Sequence, residues 1–254
     1  MVGLVLGGGG ARGYGHIGVL KYLDEIDLEP DLVVATSFGS LVGALYAAGL
    51  SGTDIAEVAA RIEVLDKYAL FFPSPTRTGL VSGRNIYKFL EKHLNNRQIK
   101  DCRMKFCAVA VDLDSWEEVL LTEGRLVDAV YASISIPVIL APRKINGRLL
   151  IDGGVVAPLP IRSARRLGAE RIIAVNVLPR EGRPREDYTI PGLFIRSFDI
   201  MTSVLIDHQL EELGDGVFID IDPGIRADQF EQAGAAIAEG YRVAKNTDFS
   251  KIYP

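Results

Sequence analysis

The chain has 254 residues, of which 48% are hydrophobic and 24% charged, and its formal net charge is −5 at pH 7. This length suits one large α/β domain with a substantial core, so we expect a single domain over residues 1–254. The acidic balance argues against a nucleic-acid partner, because proteins that bind nucleic acids carry a basic surface.

The N-terminal residues and the cysteines indicate the compartment. The start, MVGLVLGGGGARG, lacks the charged region and the cleavage site of a signal peptide. No apolar run approaches the roughly 18 residues of a transmembrane helix. Cys102 and Cys107 are the only cysteines, and without a secretory signal we expect reduced, partly buried thiols. We therefore predict a cytoplasmic protein without a transmembrane segment.

Apolar strand-like runs alternate with helical periodicity along the first part of the chain. This pattern is typical of a three-layer α/β/α fold with a mainly parallel central sheet. Residues 2–7 predict the first strand, and residues 31–35 predict the second, with a helix starting near Phe38. A further helix is expected over residues 53–62, with Thr53 as its N-cap. The helix between the two strands carries apolar residues at helical spacing, namely Ile17, Leu20, Leu23 and Ile26.

Residues 64–83 interrupt this rhythm with two prolines, two glycines and an apolar cluster that includes Leu70, Phe71 and Phe72. One interpretation is a surface loop that packs its aromatic residues onto the core. The other is a cap over an active site, or a patch that faces a membrane. The sequence leaves both interpretations open.

The second half of the chain continues the alternation of strands and helices. Residues 180–191 are polar and contain proline, which is typical of a flexible connector. The last helix carries an apolar stripe of Phe230, Ala233, Ile237 and Tyr241, which we interpret as core packing. The other predicted elements are a helix over 86–93, a hairpin of 105–113 with 117–124, a helix over 126–133, strands over 147–154, 171–179 and 216–221, and a helix over 198–213.

A glycine-rich loop, GGGGARGYGH, follows the first strand and contains G-x-G-x-x-G at Gly8, Gly10 and Gly13. Such a loop at a helix N-terminus exposes backbone N–H groups and can bind an anion. A dinucleotide site also needs an acidic residue at the end of the second strand, but that strand ends VVATS. A phosphate-binding P-loop needs Lys and Ser or Thr after the last glycine, where Tyr14 stands instead.

The second strand ends in a serine turn, Ala35-Thr36-Ser37-Phe38-Gly39, just before a helix. Strand, sharp turn with serine, and helix form the layout of a nucleophile elbow. The alternative is structural, since Ser37 or Thr36 could simply cap the helix.

A third loop begins with Asp152-Gly153-Gly154 at the end of an apolar strand. Asp-Gly sequences are common in turns that have no catalytic role. However, ligands in α/β folds bind at the carboxyl ends of strands. We therefore expect Asp152 to lie at the same edge of the sheet as the other two loops.

Taken together, the three loops resemble the patatin-like phospholipase family, including its bacterial members and the catalytic domain of neuropathy target esterase. The resemblance covers most of residues 2–178. GGGARG resembles the oxyanion loop, ATSFG the G-x-S-x-G elbow with Ala35 at the first glycine, and DGG the D-G-[GA] motif. YASISIPVILAP, residues 131–142, resembles the family segment that precedes the aspartate.

The resemblance implies a Ser–Asp dyad, with Ser37 as nucleophile and Asp152 as base. It implies an acyl hydrolase of lipid esters, with phospholipids or lysophospholipids as the expected substrates. Such an enzyme needs no cofactor. It would work in the cytoplasm or peripherally at a membrane. The two rival interpretations are an acyltransferase and a non-catalytic scaffold with the same fold. The implied oxyanion hole comprises Gly8, Gly9, Gly10, Ala11, Arg12 and Gly13.

The histidines and the potential metal ligands are consistent with such a dyad. His16, His93 and His208 are the only histidines, and each falls within a predicted helix rather than at a strand end, so we expect structural or solvent-facing roles. No cluster of His, Cys or carboxylates has metal-ligand spacing, so we expect no metal. Arg12 could add positive potential to the loop or anchor it. The sequence does not define an oligomeric state.

Overall fold

The computed structural model describes residues 1–65, 78–81, 83–182 and 189–252. These residues contain an eight-stranded sheet. Its strands are Val2–Leu6 (β1), Leu32–Thr36 (β2), Lys105–Asp112 (β3), Glu118–Leu121 (β4), Arg143–Ile145 (β5), Arg148–Asp152 (β6), Arg171–Asn176 (β7) and Val217–Asp220 (β8).

The strands are ordered β5-β6-β3-β2-β1-β7-β8, and β4 also pairs with β3. From β3 to β8 along this order, neighbouring strands are parallel, whereas β4 and β6 are antiparallel to β3. β1 lies centrally, with Leu6 opposite both Ala35 of β2 and Val175 of β7. The sheet is therefore mixed but mainly parallel, as predicted.

Helices cover both faces of the sheet. Within the described residues, no helix is both long enough and apolar enough to cross a membrane. The helices are Tyr14–Glu25 (α1), Phe38–Ala47 (α2), Gly52–Leu65 (α3), Arg84–Leu94 (α4), Leu126–Ser133 (α5), Ile161–Arg166 (α6), Ile190–Leu210 (α7) and Ala233–Lys245 (α8).

Two apolar cores lie on opposite faces of the sheet because successive strand residues point to opposite faces. Leu4 and Leu6 of β1 belong to the larger core, with residues of α1 to α5 and α8. Val5 belongs to the smaller core, with residues of α6 and α7. This arrangement confirms the predicted three-layer fold. Of the two free thiols, Cys107 is buried and Cys102 is half-buried.

Two predicted helix boundaries were wrong near the N-terminus. α1 ends at Glu25, so Ile26 lies beyond the apolar stripe and is 39% exposed. α3 begins at Gly52, and its cap is Ser51 rather than Thr53. The Ser51 hydroxyl accepts the N–H of Asp54 at 3.1 Å, and the Asp54 carboxylate accepts the N–H of Ser51 at 2.9 Å. This reciprocal pair is a capping box.

The helix predicted to start at Phe198 begins eight residues earlier, at Ile190. Thr189 caps it, since its hydroxyl accepts the N–H of Gly192 at 3.2 Å. A proline in the first turn is compatible with this start, because the first helical N–H groups have no partner within the helix. The predicted connector therefore ends at Thr189.

The apolar segment predicted at residues 64–83 falls largely outside the described residues, and this includes Leu70, Phe71 and Phe72. Leu80 is described and is 43% exposed. Its N–H donates to the carbonyl of Val138 at 2.9 Å. The two interpretations of the segment remain open.

Candidate active site

Ser37 alone makes the turn between β2, which ends at Thr36, and α2, which begins at Phe38. Its backbone angles are φ 53° and ψ −130°, a conformation that costs about 1–3 kcal/mol in a residue with a side chain. The N–H of Ser37 donates to Ser133 Oγ at 3.0 Å, and its carbonyl accepts the Ser40 hydroxyl at 2.7 Å. Hydrogen bonds therefore hold the turn from both sides.

Close packing against β1 fixes the residues beside this turn. A Cβ at Gly39 would lie 2.5 Å from the carbonyl oxygen of Gly7, so only glycine lets α2 approach the end of β1 this closely. Ala35 is fully buried within the larger core. The methyl group that distinguishes Ala35 from a glycine therefore contributes to core packing.

The Ser37 hydroxyl donates to Asp152 Oδ2 at 2.6 Å. Ser37 occupies the N-cap position of α2, but its side chain makes no capping hydrogen bond. The Thr36 hydroxyl donates to the carbonyl of Ala157 at 2.8 Å instead. The alternative in which Ser37 or Thr36 caps the helix through its side chain is therefore wrong.

Asp152 is fully buried, and its two oxygens have different partners. Oδ1 accepts the N–H of Gly154 at 2.7 Å, as in an Asp-Gly turn, while Oδ2 accepts the Ser37 hydroxyl. Burial raises the pKa of Asp152 from 3.8 to about 7, although both hydrogen bonds act in the opposite direction. Asp152 therefore stabilises the turn through one oxygen and is the hydrogen-bond partner of Ser37 through the other.

The glycine-rich loop passes over Ser37, with Gly8 close enough that a Cβ there would lie 3.2 Å from Ser37 Cβ. The N–H of Gly8 donates to Pro158 at 2.9 Å, and that of Ala11 donates to Ala227 at 2.8 Å. Between them, the N–H groups of Gly9 and Gly10 have no acceptor among the described residues. These two donors remain available to a ligand.

Arg12 anchors this loop. Its guanidinium donates to both oxygens of Asp199 on α7, at 3.1 and 2.8 Å, and both side chains are 5% exposed. Arg12 Nε donates to the carbonyl of Ile225 at 3.2 Å. Of the two roles considered for Arg12, the structure favours the anchor.

The two remaining predicted glycines lie at close contacts around the site. A Cβ at Gly13 would lie 2.4 Å from the ring of Phe38, so this glycine lets the loop pack on the start of α2. A Cβ at Gly153 would lie 2.4 Å from the carbonyl oxygen of Val109 on β3. Gly13 therefore brings the glycine-rich loop close to the Ser37 turn, and Gly153 brings the third loop close to β3.

A cavity of about 390 Å³ opens above Ser37 and Asp152. The Gly8–Gly10 backbone forms one part of its wall. The rest of the wall is mainly apolar, with side chains from the segment after α5, the segment after β7, α7 and the residues before α8. Its principal apolar residues are Ile136, Ile139, Leu178, Phe194, Phe198 and Phe230.

In the described structure, none of the three histidines contacts Ser37 or Asp152. His16 is fully buried, its Nε2 donates to the carbonyl of Gly7 at 2.8 Å, and burial lowers its pKa to about 4. His93 packs on the ring of Phe89. The His208 side chain is 72% exposed. These positions agree with the structural and solvent-facing roles expected for the three residues.

Across the described ranges, no group of three or more His, Cys, Asp or Glu residues is arranged to hold a metal ion. This arrangement does not test whether the protein needs a metal, and function without one stays a prediction.

Sequence reasoning missed three residues around the site. Ser133 and Ser135 lie in the segment YASISIP, where their hydroxyl groups carried no specific signal. Asp199 carried a clearer one, because it is the only acidic residue in a mainly apolar stretch of α7, LFIRSFDIMTSVLI. A buried acid in such a helix requires a cationic partner.

Comparisons with known proteins identify the family of this chain. The model of the patatin-like phospholipase family matches residues 4–165. The chain therefore belongs to this family.

Individual relatives support the assignment. An uncharacterised NTE family protein of Mycobacterium tuberculosis is 34% identical over 186 residues, which is 73% of this chain and 51% of that protein. Patatin-like phospholipase domain-containing protein 6 of Mus musculus is 35% identical over 69% of this chain and 13% of that protein. A lysophospholipase of Aspergillus fumigatus is 33% identical over 69% of this chain and 12% of its own length. The chain thus spans about half the length of the mycobacterial relative and 12–13% of the length of the other two.

Among solved structures, VipD from Legionella pneumophila shares the fold, with a TM-score of 0.60 at 14% sequence identity. The superposition covers 96% of this chain and 66% of that chain.

Proposed function

We propose that the protein is a serine acyl hydrolase of lipid esters, with Ser37 as nucleophile and Asp152 as base. The observation that carries this proposal is the 2.6 Å hydrogen bond between Ser37 Oγ and the buried Asp152 carboxyl group beneath an apolar cavity. Family membership supports the same reaction class.

The proposed reaction begins when Ser37 Oγ attacks the ester carbonyl and Asp152 Oδ2 accepts the hydroxyl proton. A base works best when its pKa lies near the working pH, and the pKa of Asp152 is about 7. The N–H groups of Gly9 and Gly10 hold the negative oxygen of the tetrahedral intermediate. One such donor is worth about 3–4 kcal/mol in the transition state.

Collapse of this intermediate breaks the ester C–O bond, and Asp152 returns its proton to the departing alcohol oxygen. Water then enters, Asp152 accepts one of its protons, and the acyl group leaves as a carboxylic acid while Ser37 regains its hydroxyl proton. Neither step requires a metal or cofactor.

The cavity supports a substrate with an apolar acyl chain. Its volume lies within the roughly 300–1,000 Å³ typical of small-molecule sites, and its walls present aliphatic and aromatic side chains. We propose phospholipids or lysophospholipids as the substrate class, which accords with relatives named as lysophospholipases.

Exposed aliphatic residues beside the cavity support action at a lipid surface. Val138, Val155 and Leu193 are 37–49% exposed, and each is next in sequence to a residue that lines the cavity. On the outer side of α7, Ile200, Met201 and Val204 are 56–57% exposed. Apolar surface around a binding site is typical of proteins that contact membranes.

A panel of phospholipid, lysophospholipid and short-chain esters, assayed with wild type, Ser37→Ala and Asp152→Asn, tests the proposal. Both variants should lose nearly all turnover, because residues of one catalytic unit are non-additive. A fluorophosphonate should label Ser37 of the wild type. His208→Gln, which changes an exposed residue, is the matched control and should retain turnover. Full activity of either site variant would contradict the proposal.

The same assays separate the rival enzyme function. Addition of glycerol should leave the free fatty acid as the main product if water is the acceptor. Dominant formation of a glycerol ester would instead identify an acyltransferase.

A further inference from the structure

The backbone of Ser37 needs restraint. Its φ of 53° and ψ of −130° lie outside the regions that residues with a Cβ adopt readily. Such a conformation persists only when the surrounding structure enforces it. The hydroxyl group of Ser37 is directed at Asp152 only while this conformation holds.

Ser133 supplies the restraint on the N–H side. Its Oγ accepts the N–H of Ser37 at 3.0 Å, and its own hydroxyl proton is donated to the carbonyl of Val109 at 2.7 Å. Ser133 is fully buried. In a low-dielectric interior, hydrogen bonds in such a chain strengthen one another.

The Ser37 N–H and the Val109 carbonyl lie where the β2–β3 ladder ends. Val109 is the last residue of β3 in register with β2, opposite Thr36. From Ala110 onwards, β3 pairs with β6 instead, and Ala110 lies opposite Asp152. The Ser133 hydroxyl therefore joins the end of one ladder to the nucleophile turn.

The same segment also fixes the other member of the pair. Two residues after Ser133, the carbonyl of Ser135 accepts the N–H of Asp152 at 3.0 Å. The end of α5 thus holds the backbones of Ser37 and Asp152 relative to each other.

We propose that Ser133 is a positioning residue, whose hydroxyl sets the orientation of Ser37 toward Asp152. This inference rests on the proposed hydrolase function. In this proposal Ser133 does not contact the substrate, because it acts through the backbone of Ser37. Loss of the hydroxyl should therefore reduce kcat and leave KM close to the wild-type value.

The test compares Ser133→Ala with Ser163→Ala, using a soluble short-chain ester. Ser163 is an equally buried helical serine, and its hydroxyl binds Glu118 on the opposite side of the sheet from α5. Active sites are titrated with a fluorophosphonate, so that kcat is expressed per reactive site. Misplacement by about 1 Å can cost roughly 100-fold in rate, and we expect a fall of that order for Ser133→Ala alone.

A purely structural role would give a different result. It would lower the melting temperature and the number of titrated sites but leave kcat per site unchanged, and this result would overturn the proposal. An equal fall in kcat per site for Ser163→Ala would overturn it as well. If Ser133→Ala does not fold, Ser133→Cys replaces it, since a thiol fills similar space with weaker hydrogen bonds. Wild-type kcat per site for that variant would again overturn the proposal.

The wild-type arm separates this inference from the function on which it rests. If wild type is labelled and active but Ser133→Ala matches it, only the positioning role fails. If wild type is neither labelled nor active on any ester, the proposed hydrolase function fails, and the positioning role fails with it.

Discussion

At the scale of single residues, the burial of Asp152 affects activity and stability in opposite directions. Its pKa is about 7 in the folded protein, compared with an ordinary value of 3.8. The higher value makes Asp152 a more effective base near neutral pH. It also means that ionisation of this group costs folding free energy, because the unfolded chain ionises at lower pH.

The first prediction concerns the pH dependence of the reaction. Because the ionised carboxylate is the base, kcat/KM should rise with pH through about 7 and fall as pH drops below it. The measurement is kcat/KM on a soluble ester between pH 5 and 9. An acidic limb near pH 4, the ordinary range of an aspartate, would contradict the role of Asp152.

The second prediction concerns the stability of Asp152→Asn. A raised folded-state pKa gives stability that is complete below 3.8 and is lost as pH rises through about 7. Over that interval wild type should lose on the order of 4 kcal/mol, whereas the asparagine variant should not. At pH 8 the inactive variant should therefore melt at a higher temperature than wild type.

The comparison with pH 4 is the control for this prediction. Both proteins carry an uncharged side chain at position 152 there, so their melting temperatures should nearly agree. An identical difference at pH 4 and pH 8 would show that ionisation of Asp152 is not its cause.

At the scale of elements, α7 combines two tasks. Its inner side forms part of the cavity wall through Phe194 and Phe198 and holds the glycine-rich loop through Asp199. Its outer side exposes Ile200, Met201 and Val204. This one helix therefore links the position of the loop to the apolar surface beside the cavity.

The third prediction tests the link between the loop and α7. Arg12→Ala leaves Asp199 buried without its ionic partner, which should cost about 3–5 kcal/mol of unfolding free energy. The double variant Arg12→Met with Asp199→Leu should recover much of this loss, since no unpaired charge remains buried. Denaturant unfolding measures the free energy of unfolding of both variants. A double variant that is no more stable than Arg12→Ala would contradict the coupling.

The fourth prediction concerns the outer side of α7. If this side faces lipid, as we propose, Ile200→Ser with Met201→Ser should weaken binding to phosphatidylcholine vesicles and slow hydrolysis of vesicle lipid, because exposed apolar area is lost. Hydrolysis of a soluble short-chain ester should not change. Ile26→Ser, at an exposed aliphatic residue beyond α1, is the matched control. Unchanged vesicle binding of the double variant would remove α7 from the lipid-facing surface.

At the scale of the whole molecule, strand order determines where the site lies. From β1 the chain proceeds to β2 and β3 on one side, and later adds β7 and β8 on the other. The loops after β1 and β7 diverge, and such a switch point is where α/β proteins bind ligands. Gly8–Gly10 and Leu178, which follow these two strands, line the same cavity.

The fifth prediction concerns metal ions and applies to the whole molecule. Because the proposed reaction uses only side chains and backbone donors, prolonged treatment with EDTA should leave ester hydrolysis at its initial rate. Activity that falls and is restored by Ca²⁺ or Zn²⁺ would contradict a metal-free mechanism.

Much of the fold could be predicted because apolar periodicity reports local structure directly. The residues of β1 and β2 are buried throughout, so they appear in the sequence as continuous apolar runs. The glycine-rich loop and the Ser37 turn meet because they follow parallel strands, as their places at strand ends predicted. Asp152 reaches them for a different reason, because β6 is antiparallel to β3 and ends opposite Ala110, one residue beyond the Val109–Thr36 pair. The chemical roles of Ser37 and Asp152 remain predictions. Contacts between residues that are far apart in the sequence could not be predicted. Arg12 and Asp199 are separated by 187 positions, and no local pattern indicates their pairing.

The two oxygens of Asp152 give the proposed reaction a directional proton path. Oδ1 accepts the Gly154 N–H and Oδ2 accepts the Ser37 hydroxyl, so the proton of Ser37 is directed at Oδ2. In the proposed reaction the same oxygen takes the proton from Ser37 and returns it to the alcohol oxygen, so the carboxyl group need not rotate between the two transfers. Proton return can therefore follow bond cleavage without a conformational step.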